Sequence, residues 1–268
     1  MGSDAPVAPP WRVGARAAEA VRFELNLGYG PIDVYDVAQR RGASVVFRDL
    51  GGDDGRYVFH NGAALIIVTT SCAEAARQRF TAAHELGHHE LHRFAGESEA
   101  PTYLVDHDIL AKGDRRESEA NSFAATLLLP NEALKADFPG RPKVQPEDVG
   151  TIMRRYGVSF ETAVYRLNNA GIISAPRRQA LLEEGWGRVR ELRGQEEQPR
   201  SDRDVPEALE NSMRKLYLAG LVAPERLAEV LAISADDVVT RFGEPTRAEA
   251  DVSDLIAGLD VTTEGKRG

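Results

Sequence analysis

The chain has 268 residues, 42% of them hydrophobic and 28% charged, with a formal net charge of −9 and one cysteine. That is enough apolar material for one large or two small cores, while the acidic balance disfavours broad, sequence-blind nucleic-acid binding. One cysteine excludes an internal disulfide framework, no apolar run nears the ~20 residues of a membrane span, and MGSDAPVAPPWRVG lacks a signal-peptide layout, so a cytoplasmic protein is expected.

Residues 1–14 read as a flexible Pro/Ala-rich lead, followed by helical spacing from Ala15 to Leu27. Pro31 to Ala38 predicts a second helix with proline in its first turn, stopped at Gly42. The period then changes. Ala43–Phe47, Gly55–His60 and Ala63–Thr70 are β-rich, and an Asn61-Gly62 turn joins the last two. Three strands feeding a helix predict an α+β fold, with a small antiparallel sheet beneath that helix.

The helix, predicted over Ser71–Phe94, contains His84-Glu85-Leu86-Gly87-His88. Ser71 with Glu74 reads as a capping box. Residues four apart stack on one helical face, so His84 and His88 can offer two imidazoles to one metal ion. Glu85 points off that axis, suited to take a proton from an activated water. The stripe Phe80, Ala83, His84, Gly87, His88, Leu91, Phe94 puts the pair on the core-facing seam. Gly87 costs about 1 kcal/mol in a helix interior and predicts close approach by another segment.

The neighbouring histidines read differently. His92 lies about 12 Å along the axis from His84, too far to share its ion, and is expected to pack or hydrogen-bond a ligand. His89 falls about 100° off the seam and reads as solvated. A metzincin would need Gly at 91 and His at 94, where this chain has Leu91 and Phe94. Cys72, about 18 Å from His84 if it shares the helix, is too distant to cap a metal and reads as structural or incidental.

A polar loop is expected over residues 95–112, then a helix from Asp114 to Leu129 ended by Pro130. Its apolar stripe of Ala120, Ala124, Leu127 and Leu128 extends back to Glu117 and Asn121. Glu117 is therefore the candidate third ligand, ranked ahead of Glu119. Spacing alone explains Glu117 equally well as a cap three residues after Asp114. Asn121 is placed to hold this helix against the metal helix. Candidate donors to an oxyanion are Tyr103, His107 and Tyr156.

Arg79 to His88, followed by Glu117-x-x-Ala120-Asn121-x-Phe123-Ala124-Ala125-x-Leu127-Leu128-Leu129-Pro130, resembles the ImmA/IrrE family of metallopeptidases. The resemblance covers roughly residues 15 to 170. It implies that Glu117 is the third ligand of one zinc ion. It further implies a bacterial cytoplasmic endopeptidase that cuts a partner helix-turn-helix repressor in a stress, mobile-element or phage-defence response.

Residues 141–193 read as a helix-turn-helix-like region, MRRYGVSFETAVYRLNNAG, with Arg154, Arg155 and Arg166 supplying local positive charge. The second helix is poor in base-reading side chains, which favours packing or protein contact over DNA. Residues 194–204 are a polar linker by composition, 205–243 a C-terminal helical module, and 244–268 a disordered tail. The peptidase domain is drawn at 15–140. The rival reading is a DNA- or partner-binding regulator with a structural metal. A further prospect is DNA as an activator of proteolysis.

Overall fold

The computed structural model describes residues 8–60, 63–93, 102–105, 115–140, 143–189, 191, 199–200, 207–220, 222–231 and 233–245. The chain divides into two compact units, residues 1–202 and 203–268. No helix among the described residues is long and apolar enough to cross a membrane.

The first unit opens with α1 (Pro10–Glu24), whose proline occupies the first turn, where its missing N–H has no helical acceptor to lose. The helix thus begins inside the segment expected to be a flexible lead. In α2 (Val34–Arg40) the Asp33 carboxylate accepts from the backbone N–H groups of Tyr35 and Asp36, so a side-chain cap starts this helix and Pro31 stays outside it. Strands β1 (Ala43–Arg48), β2 (Gly55–His60) and β3 (Ala63–Thr69) follow close to their expected bounds.

The sheet is mixed, not antiparallel as expected. Its order is β1-β3-β2-β4; β1 runs parallel to β3 (Ala43 opposite Ala64), whereas β2 is antiparallel to both β3 and β4. Alternation in a sequence reports which side chains are buried and not which strand lies next door. Here β3 slots between β1 and β2, and its buried run Ala64–Thr69 has the continuous apolar character of a central strand. The fourth strand, β4 (Thr102–Val105), falls within the predicted loop and pairs with β2 from Arg56–Val105 to Phe59–Thr102.

Helix α3 (Ala75–His92) lies against this sheet. Glu74 sits at its N-cap without a side-chain hydrogen bond, and the Ser71 hydroxyl donates instead to Asp49 at 2.5 Å. The expected capping box is therefore not formed, and Cys72 precedes the helix. Next comes α4 (Arg115–Leu128), packed on α3 and on α1; Asp114, its expected cap, lies outside the described residues.

Then come α5 (Asn131–Asp137), α6 (Pro146–Tyr156), α7 (Phe160–Asn169) and α8 (Ala175–Trp186); α7 packs on α4 and on the other three. Two buried guanidiniums close the C-terminus of α4: Arg22 Nε donates to the Leu127 carbonyl and Arg166 Nε to that of Leu129, both at 2.8 Å. Cations are favoured at this end of a helix dipole. Burial still pulls both groups down to about 10.

Arg166 is thus an internal clamp and not part of a basic surface. Arg155 is paired with Asp137 at 2.7 Å, and the exposed positions of α7 are Glu161, Tyr165 and Asn169. Left-handed Gly157 (φ 61°) and the Ser159 N-cap make the tight turn between α6 and α7.

The second unit contains α9 (Glu207–Leu218), α10 (Pro224–Leu231) and α11 (Ala235–Phe242), packed around Tyr217, Leu227, Ala228 and Val238. Asp237 completes a capping box with Ser234, so the chain's own carboxylate occupies the N-terminus of α11. The predicted tail lies almost wholly outside the described residues.

Candidate metal centre

Gly87 is where α4 comes closest to α3. A Cβ there would stand 3.1 Å from the Ala120 Cα and 3.2 Å from the Phe123 Cβ. This approach carries the first turn of α4 onto the two imidazoles. The Nε2 atoms of His84 and His88 are 3.0 Å apart; Glu117 sets Oε2 3.1 Å from the first and Oε1 3.2 Å from the second. Ligand atoms at ~2.0–2.1 Å around a tetrahedral zinc ion are about 3.3 Å apart, close to each of these three separations. The donor set, two imidazoles and a carboxylate, also suits that ion.

Environment prepares the donors. The two imidazoles hold the Glu117 carboxyl well below the usual carboxylate range, and burial pushes the His88 ring down, which favours its neutral, metal-binding form. Both histidines are buried, while Glu117 keeps 20% of its side chain exposed, so of the three it is the one that borders the surface.

The far ring nitrogens are also committed. His84 Nδ1–H donates to Asn121 Oδ1 at 3.0 Å, one helical turn past Glu117. His88 Nδ1 meets His92 Nδ1 at 3.0 Å, and His92 Nε2–H donates to Glu119 at 3.1 Å. Arg115 holds the other Glu119 oxygen at 2.8 Å. With protons on these Nδ1 atoms, both Nε2 lone pairs face Glu117 and are available to a cation. Glu119, the second-ranked ligand from sequence, ends this relay and is not one of the three clustered donors. Substituting Glu119→Gln removes its charge and is expected to lower metal affinity about 10–100-fold, read by chelator competition.

Glu85 faces the sheet. It is 1% exposed and packs against Gly55 at the start of β2, where an added Cβ would lie 2.9 Å from Glu85 Oε1 and overlap the Thr81 methyl. Gly55→Ala should therefore displace the Glu85 carboxylate without touching the histidines. The expected result is a turnover loss on the order of 100-fold at unchanged metal content, measured side by side in one preparation. Nothing near Gly55 in sequence signals this contact.

His89 is corrected. It is buried, with Nδ1 2.8 Å from the Tyr57 hydroxyl and Nε2 3.1 Å from the Arg41 carbonyl. The sheet covers the flank that helical periodicity assigns to solvent. Tyr156 is buried in the core with its hydroxyl on Asp137 at 3.3 Å, which commits it away from an oxyanion role. His107 and the Tyr103 side chain lie outside the described residues.

Residues 38–168 match the family model of the IrrE N-terminal-like domain, an M78 peptidase. Over that span the chain belongs to the ImmA/IrrE family of metallopeptidases. No curated protein matched the chain. The ImmA/IrrE span runs from α2 through α7, so it includes the helix-turn-helix-like pair α6–α7 together with the two helices of the metal centre.

Proposed function

We propose that this chain is a zinc endopeptidase that makes a specific cut in a partner helix-turn-helix repressor. The observation that carries the catalytic part is the clustering of buried His84 and His88 with the partly buried Glu117, with Glu85 one residue on from the first of them. Those three side chains would hold one zinc ion, which supplies Lewis acidity toward a scissile carbonyl and makes water nucleophilic at neutral pH. Glu85 takes the proton of the attacking water and returns it to the leaving amine. Asn121 and the His92–Glu119 pair keep the imidazoles turned toward the site, so little reorganisation is needed during turnover.

Family membership supports the choice of a repressor as substrate, and the surface of the chain weighs against the rival. The exposed side of α7, the helix that would read bases, presents an acid, a tyrosine and an amide, and Arg166 is withdrawn into the core, so the exposed positions of α7 carry no cation. Arg154 and Arg155 stay exposed on α6 and are what is left of the motive for DNA as an activator. A bacterial cytoplasmic setting in stress or phage defence is part of the same proposal and rests on the family resemblance alone.

Co-expression with a helix-turn-helix repressor encoded beside the gene should yield two repressor fragments, the C-terminal one carrying a single new N-terminus, identified by mass spectrometry. An intact repressor alongside a zinc-loaded, folded peptidase would remove the substrate assignment and leave the hydrolase in place.

A further inference from the structure

Gln78 lies on α3 with 1% of its surface exposed, yet it is a primary amide on a helix that packs into the core. Its hydrogen bonds explain how it is tolerated. Nε2 donates to the Thr69 carbonyl at 3.0 Å and to the Arg200 carbonyl at 2.9 Å, and Oε1 accepts from the Arg200 N–H at 2.7 Å. One side chain thus grips both backbone groups of a single residue, as a neighbouring strand would. Without that residue two of the three bonds vanish, and the buried Oε1 loses the N–H it accepts from.

The Arg200 side chain has its own place. Its guanidinium stacks over the Tyr35 ring, 4.1 Å from the centroid, and lies 3.3 Å from Asp33 Oδ2. Both partners are held in advance. Asp33 Oδ1 is bound to the Tyr35 N–H at the start of α2, and the Tyr35 ring is fixed edge-on against Phe47 at 5.3 Å. The segment expected to be a linker is therefore pinned here.

We propose that Gln78, Tyr35 and Asp33 form a binding seat for an arginine in an extended peptide, filled in cis by Arg200 and open to a partner's segment only when Arg200 leaves. The clasp reads main-chain atoms and the aromatic-acidic corner reads a guanidinium, so any extended strand with an arginine at that register fits it. Gln78 also shares a helical face with Glu85, seven residues and about 10.5 Å along the axis. Three or four extended residues cover that span, so a protein docked at the seat lies within reach of the catalytic carboxylate.

The test uses the full chain and a labelled peptide spelling residues 196–202, EEQPRSD, followed by fluorescence anisotropy. The peptide should bind the Arg200→Ala chain at least ten-fold more tightly than the intact chain. Replacing the peptide's arginine by alanine, or adding Asp33→Asn or Gln78→Ala to the Arg200→Ala chain, should abolish that binding. Asp33→Asn keeps the α2 cap, which guards against loss by unfolding. Equal affinity for intact and Arg200→Ala chains, or binding to neither, overturns the seat; the readout needs no zinc and no cleavage, so the peptidase assignment is judged separately.

Discussion

Glu85→Gln is expected to keep its metal and to lose peptide cleavage by about 10²–10⁴-fold, the usual contribution of a general base. The substitution preserves shape in a side chain that is almost wholly buried against Gly55 and Thr81, so folding should be little affected. It removes the carboxylate's ability to take up a proton. Glu85 is not one of the clustered donors, which is why metal content should stay at one ion per chain. Parallel metal analysis and cleavage kinetics give the answer. Undiminished cleavage would retire Glu85 as the base, and loss of metal would make it part of the ligand framework instead.

The second large effect is expected far from the histidines. Gly14 is the crossing point of α1 on α4: a Cβ there would overlap the Glu119 carbonyl oxygen and come 2.8 Å from the Phe123 backbone nitrogen. Backbone cannot step aside as a flexible side chain can. Gly14→Ala should therefore push the two helices apart, destabilising the first unit by about 3 kcal/mol, at the upper end of what overpacking produces. Because α4 carries Glu117 and Glu119, the same displacement should weaken metal binding. Urea denaturation of the metal-free protein, followed by chelator competition, measures both consequences. A stability change under about 0.5 kcal/mol, the range of an ordinary surface substitution, would show that the crossing tolerates a methyl group.

Local periodicity carried much of this molecule. The spacing of His84 and His88 puts them on one face in any α-helix, and the β-rich segments between Ala43 and Thr70 are recognisable from composition and turn residues. Gly87 announced a close neighbour because a helix-interior glycine needs a reason, and α4 is that neighbour. Periodicity failed where a face is covered by something distant in sequence. His89 looks solvated until Tyr57 and the Arg41 carbonyl close over it, and Arg166 looks like surface charge until the end of α4 accepts its hydrogen bonds. Gly14 and Gly55 carry no local signal at all.

The amino-acid sequence by itself determined the pair of imidazoles, the carboxylate beside them and the family to which they belong, because residues three or four apart share a helical face whatever surrounds them. Tertiary structure decided which acid joins them. Glu117 and Glu119 point about 200° apart on one helix, and only the packing of α4 on α3 at Gly87 turns the first toward the metal ligands and the second toward His92. It also decided the strand order and the clasp on Arg200, since both join segments whose neighbours in space are far away along the chain.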